Sequence, residues 1–273
     1  MHLWRSLPLL ASLLLAPTAA SAQAMVICHI GGPGSTAQAR PVLAKFLPHM
    51  EQSGGLAKGS MTGEYHTTLS ACQAYIKQHV PLFAVFDLAT YLGLQKELKL
   101  KPLACMGSPT GQRYHLLVRK GSYKDPASLK GKTLISSHLG DLTFVSRIIF
   151  DGKLDAAKHF KIKPTRRPLK GIRNVSRSRA DATLVDQMAH DHLAELKLTP
   201  PLESIYSSAG LPGLTLAVVG AAKPNPAVVK KVSAALPRLC TGDGKNMCKT
   251  FQVDSFTRVK AAAYEALGKK YGK

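Results

Sequence analysis

Apolar positions along this chain switch repeatedly between a period of two and a helical period. Residues 25–30 form a short β-like run that ends in Gly31-Gly32-Pro33-Gly34, and Ser35 or Thr36 can cap a helix after it. Ala39, Val42, Leu43, Phe46, Leu47 and Met50 then recur at helical spacing until Gly54-Gly55 stops the helix. The alternation returns. A strand near 60–65 leads to a helix over 69–78, and an apolar strand at 82–86 ends at Asp87, which can cap a helix over 88–98. Further β-like runs fall at 103–106 and 114–118. A strand at 133–136 precedes a helix over 142–150, a strand at 182–185 precedes a helix over 187–196, and 214–219 reads as one more strand. Two helices close the chain, one with Val228, Val229, Val232, Leu236 and Leu239 on a face, the other with Phe256, Val259, Ala263 and Leu267.

Strands alternating with helices predict an α/β protein with largely parallel sheets. In such sheets ligands sit beyond the carboxyl ends of the strands or between domains. The positions just after the predicted strands are therefore the candidate ligand-binding residues: Tyr65 and His66, Asp87, Ser137 and His138, Asp186, and Ser207 and Ser208, with Gly32–Gly34 beside them. Each has a plainer alternative. Asp87 and Asp186 can cap their helices. The glycine loop lacks the Gly-Lys-Ser/Thr ending of a phosphate loop and reads as a tight strand-to-helix turn. Tyr91 lies beside Leu88 and Leu92, where packing and ligand contact are equally served. Tyr65, Tyr91, His66 and His138 together offer aromatic surface with polar tips, which suits a partly apolar or neutral ligand.

The N-terminus reads differently. Arg5 precedes an apolar run over 7–15, and Ala20-Ser21-Ala22 offers small residues at a cleavage site. That order predicts a secretory signal over residues 1–22, with cleavage after Ala22 or Ala24. The run contains Pro8, meets Pro17, and falls short of the ~20 apolar residues of a spanning helix. The expectation is an exported, periplasmic protein. About 250 residues then remain, enough for one large core or two smaller ones.

The chain carries a net charge of +21 from 37 Lys and Arg against 16 Asp and Glu. The basic residues are dispersed, with modest clusters at 161–167, Lys230-Lys231 and Lys269-Lys270. No aromatic residues interleave with them as single-strand binding needs, and export also argues against nucleic acid. Five cysteines, Cys28, Cys72, Cys105, Cys240 and Cys248, fall after the signal. Cys240 and Cys248 flank the turn Thr241-Gly242-Asp243-Gly244, and an oxidising compartment would allow them to pair. The pairing of the other three is open. No zinc-ligand spacing, no His-Glu-x-x-His and no Gly-x-Ser-x-Gly elbow is present, so neither a metal, another cofactor nor an enzyme activity is expected.

Four stretches carry a family resemblance. Residues 114–120, followed by Gly121-Ser122-Tyr123-Lys124-Asp125 and Ser128-Leu129-Lys130-Gly131-Lys132-Thr133, resemble the lobe-crossing segment of type II periplasmic binding proteins. Residues 176–186, with Ala180-Asp181-Ala182 and Asp186, are similar to that family's helix, A-D-A, strand, D element. Residues 207–213 resemble its return crossing, and 251–264 its closing helix. The resemblance is greatest to the phosphate/phosphite/phosphonate-binding proteins of ABC importers. It implies an α/β, two-lobed fold with two crossover hinges. Lobe one is expected over 25–108 plus 212–273, and lobe two over 109–211. It further implies a monomer that closes on a small-molecule ligand and delivers it to the membrane permease of an ABC transporter. A lipid or sterol carrier on the same scaffold, or a ligand-sensing partner of a membrane receptor, are the alternatives.

One stretch departs from the relatives. Their phosphonate is held by a hydroxyl-rich run at a helix start, where free N–H groups favour an anion. Here that run is Ser136-Ser137-His138-Leu139-Gly140-Asp141-Leu142-Thr143, and Asp141 is placed to cap the helix itself. An oxyanion ligand is therefore in doubt, while Ser136, Ser137, His138 and Asp141 remain candidates for the cleft.

Overall fold

Strands too short and too apolar to stand alone are buried here by stacking helices on two separate sheets. The computed structural model describes residues 23–32, 34–250 and 253–272; the leader expected at 1–22 lies outside the described residues. No described helix is long and apolar enough to cross a membrane. In chain order the first elements are β1 (Gln23–Cys28), α1 (Thr36–Gly54), β2 (Met61–His66), α2 (Leu69–His79), β3 (Phe83–Phe86), α3 (Leu88–Leu94) and β4 (Leu100–Met106). The second group is β5 (Tyr114–Arg119), β6 (Thr133–Ser136), α4 (Leu142–Phe144), α5 (Ala156–His159), β7 (Lys161–Pro164), α6 (Pro168–Ser176), β8 (Ala182–Asp186), α7 (Gln187–Asp191) and β9 (Leu202–Ser207). The chain ends with β10 (Thr215–Val219), α8 (Pro226–Ala235), α9 (Gly244–Thr250), β11 (Phe256–Arg258) and α10 (Ala261–Gly272).

The strands pair as β11-β4-β10-β3-β1-β2 in one sheet and β7-β6-β8-β5-β9 in the other. Both sheets are mixed. β10 runs antiparallel to β3 and β4, and β5 runs antiparallel to β8 and β9. These are the first strands after each passage of the chain between the sheets. The two connecting segments lie side by side: Gln112 N donates to Leu211 O at 3.0 Å and Leu211 N to Gln112 O at 2.7 Å. Arg113 Nη1 adds a bond to Ser208 O at 2.9 Å.

Several elements differ from the sequence expectation. β7 carries a single apolar residue, Ile162, between Lys161 and Lys163, because it is an edge strand of its sheet. β9 is the opposite edge, and its half-buried residues show no clean alternation. Phe256 belongs to β11, stacked on Phe46 with ring centroids 6.2 Å apart, and the closing helix begins only at Ala261. The helix expected over 142–150 is α-helical only to Phe144 and continues as a π turn over Val145–Ile149.

The core is held together across this layout. α2 is fastened to β1 by a Cys28–Cys72 disulfide, and Cys240 is joined to Cys248; Cys105 is a buried thiol. Burial raises that thiol's pKa to about 11, which keeps it protonated and unreactive. α10 packs against α3 of the first sheet and also reaches the π turn of the second. There Arg147 Nη1 donates to Tyr271 O at 2.7 Å, and Lys270 pairs with Asp151.

Candidate functional site

The carboxyl ends of the parallel strands of both sheets face each other across a cleft of about 740 Å³. β1 delivers His29 and β3 delivers Asp87; β6 delivers Ser137 and His138, and β8 delivers Asp186. Tyr114, the first residue of antiparallel β5, is buried at the base, its ring edge-on to His138 at 5.0 Å and to Phe144 at 5.7 Å.

Three carboxylates line this cleft, and each caps a helix. Asp87 Oδ1 accepts from Thr90 N at 2.9 Å, while its Oδ2 accepts from Thr90 Oγ1 at 2.9 Å and from Ile30 N at 3.4 Å. Asp141 Oδ1 accepts from Phe144 N at 2.9 Å and Oδ2 from Tyr271 OH at 2.9 Å. Asp186 Oδ1 accepts from Ala189 N at 2.8 Å. Helix N-termini favour such carboxylates through their free N–H groups and dipole. The same bonds use up the donors an incoming oxyanion would seek. Among the described residues no Lys or Arg lines the cleft.

The two imidazoles respond to burial. Desolvation holds His138 below its ordinary pKa, against the pull of the Asp186 and Asp87 carboxylates and with a push from His29. His29 is lowered by burial in the same way, again opposed by Asp87 and Asp186. Both rings are therefore neutral at neutral pH. Their folded pKa values lie below the ordinary 6.5, so the unfolded chain takes up protons first as pH falls. Stability is complete above that value and is lost as pH drops through it towards the folded values. Urea midpoints should thus fall between pH 7.5 and 5.5, and the fall should shrink in a His29→Asn/His138→Asn variant. An identical pH dependence in the variant would contradict this assignment.

Of the residues singled out from sequence, Asp87, Ser137, His138, Asp141 and Asp186 come together in the cleft wall. The others lie elsewhere. Tyr91 is core: it is 2% exposed, edge-on to Tyr264 at 5.0 Å, and burial lifts its pKa to about 12. Ser136 is buried beneath the cleft, its Oγ donating to Leu184 O at 2.6 Å and accepting from His138 N at 3.0 Å, so it shapes the turn that presents His138. Tyr65 packs in the first sheet's own core with its hydroxyl over Gly32. His66 lies on edge strand β2 against the Tyr75 ring, with Nε2 3.7 Å from Glu64. Ser207 bonds His115 Nδ1 at 2.9 Å on the outer side of β5, and Ser208 is a buried linker residue whose Oγ accepts from Tyr114 N at 3.0 Å.

His29, Thr90, Tyr114 and Tyr271 line the cleft without having been singled out from sequence. His29 falls inside a strand expected to run to residue 30, but β1 ends at Cys28. Tyr114 escapes the rule of looking after each strand because β5 is antiparallel, so its amino end faces the cleft. Tyr271 arrives from the far end of the chain, with no local signal; burial and its bond to Asp141 push its pKa up to about 12.

No protein-family model and no curated protein matches the chain. Solved structures do. A Xanthomonas citri protein bound to ATP superposes with a TM-score of 0.69 at 13% identity, over 92% of this chain and 98% of that one. PhnD1 from Prochlorococcus marinus in complex with methylphosphonate gives 0.67 at 12% identity, over 91% and 97%. The periplasmic aliphatic sulphonate binding protein SsuA of Escherichia coli gives 0.55 at 14% identity, over 92% and 79%. The mixed sheets, the paired crossings and these superpositions together show that the chain has the α/β, two-lobed fold of the type II periplasmic solute-binding proteins.

Proposed function

We propose that this protein is an extracytoplasmic solute-binding protein that holds a small molecule between two lobes and presents it to the permease of an ABC transporter. The observation that carries this reading is the cleft itself. It is built from the facing strand ends of two independent sheets, and two adjacent segments, paired through Gln112 and Leu211, tie those sheets by β-type bonds. Such an arrangement suits hinge closure over a ligand. Lobe one is assigned to 25–108 plus 212–273 and lobe two to 109–211, with α10 lying along both. The cleft volume falls within the ~300–1,000 Å³ of small-molecule sites. The working unit is a single chain.

The bonded hydroxyl–carboxylate pairs that line the cleft, Thr90–Asp87 and Tyr271–Asp141, involve carboxylates that cap helices, and the bonded Ser207–His115 pair lies outside it. Native mass spectrometry of protein taken from its own cells tests the proposal. The expected result is a one-to-one complex with an intact small solute. A covalently modified protein or a processed product would contradict it, and an adduct of lipid mass would favour a carrier instead.

A further inference from the structure

We propose that the solute is an organic cation, whose ammonium or guanidinium group sits between Asp87 and Asp186. This rests on the solute-binding reading above and gives it a ligand class. The first observation is one of composition against place. The chain has 37 Lys and Arg, yet among the described residues none lines the cleft, whereas three Asp do. Among those same residues none of the three carboxylates takes part in an ion pair within 4.0 Å, and the hydrogen bonds they accept come from neutral amides and hydroxyls. Asp186 accepts its helix-capping bond through one oxygen, Oδ1. A confined site with unpaired carboxylates is completed by a ligand that brings the missing positive charge and its N–H donors.

The second observation is independent of the acids. His138 Nε2 is sealed from solvent and has no hydrogen-bond partner, although its ring lies in the cleft wall. A buried polar atom without a partner is uncommon and calls for a ligand or an ordered water. A neutral imidazole can accept a hydrogen bond from an ammonium or guanidinium N–H. The groups facing this ring are Asp87, Asp186, His29 and Tyr114, and none of them is a fixed cation.

The size and lining of the cleft argue for an organic rather than a bare metal cation. Its volume of about 740 Å³ far exceeds one ion, and no group of three metal-ligating side chains is gathered among the described residues. Leu69 from lobe one and Met188 from lobe two are 43% and 44% exposed on its walls, offering apolar surface to a carbon skeleton. The net charge of +21 opposes cation approach at long range. That opposition is screened over about 8 Å at physiological ionic strength, whereas the carboxylates act in direct contact.

Isothermal titration with putrescine, agmatine, L-arginine and choline, beside methylphosphonate, sulfate and glucose, tests the inference. At least one cationic probe should bind with a dissociation constant in the micromolar range. Asp186→Asn should weaken that binding tenfold or more, since Asn keeps the helix cap and removes the charge. Lys230→Gln, on α8 outside the cleft, should leave it unchanged. Binding of an anion or of glucose without any cationic probe overturns the ligand class and leaves the solute-binding reading standing. Failure of all probes, with protein that also isolates empty by native mass spectrometry, overturns both.

Discussion

Phosphate, phosphite and methylphosphonate should bind this protein no more tightly than the millimolar range, and Asp141→Ser should improve phosphate binding at least tenfold. The reason lies at the start of α4. Asp141 Oδ1 already accepts from Phe144 N at 2.9 Å, one of the amides a phosphonate would need, and Tyr271 OH fixes the second oxygen at 2.9 Å. A dianion seated there would meet the carboxylate at contact distance. Two like charges ~4 Å apart at an effective dielectric of about 20 repel by about 4 kcal/mol. That is roughly a thousandfold in affinity. Serine at the same position still caps the helix but carries no charge. The distributed basic surface can raise the local concentration of anions, yet it supplies no donor inside the cleft. Titration of the wild type settles the point, and a dissociation constant of micromolar or below for any of the three would contradict it.

Removing the Cys28–Cys72 disulfide should cost more stability than removing Cys240–Cys248. The first closes a separation of 44 residues and the second of 8. On the chain-entropy model those loops stabilise by about 4 and about 2.5 kcal/mol respectively. Position reinforces the order. Cys28 and Cys72 are both 0% exposed and tie α2 to β1, the strand that delivers His29 to the cleft. Cys240–Cys248 only joins the turn after α8 to α9. Chemical denaturation of Cys28→Ala/Cys72→Ala and Cys240→Ala/Cys248→Ala variants measures the difference. Equal losses, or a larger loss from the shorter loop, would contradict the expectation.

Much of this architecture is readable in the sequence, and the failures have identifiable causes. Strands buried on both faces, such as β3 and β8, stand out as apolar runs and are placed within a residue of their ends. Edge strands β7 and β9 are not, because an edge strand need not be apolar and β7 reads Lys-Ile-Lys-Pro. Asp87 and Asp186 are legible because a cap at a strand's end lies near its carboxyl end, where the cleft opens, whereas Asp141, five residues past β6, is found from its place before the next helix in the run that departs from the relatives. Tyr91 is ambiguous by construction: its helical neighbours are apolar, and only the packing of Tyr264 from α10 decides that it faces the core. His29 is lost to a strand end placed too late by its apolar neighbour Ile30. Tyr114 and Tyr271 depend on strand direction and on a long-range return of the chain, neither of which a local pattern encodes.

Gly140 offers the most direct test of the claim that this cleft holds the solute. It lines the cleft, its backbone does not require a left-handed conformation, and an added Cβ there meets no atom within 4 Å. A tryptophan at this position can therefore fold normally while placing an indole in the ligand's space. The measurement is the fraction of protein carrying its co-isolated solute, by native mass spectrometry, in the wild type and in Gly140→Trp with an unchanged melting temperature. The account predicts near-stoichiometric solute in the wild type and at least a tenfold loss in the variant. Equal occupancy in the two would contradict it.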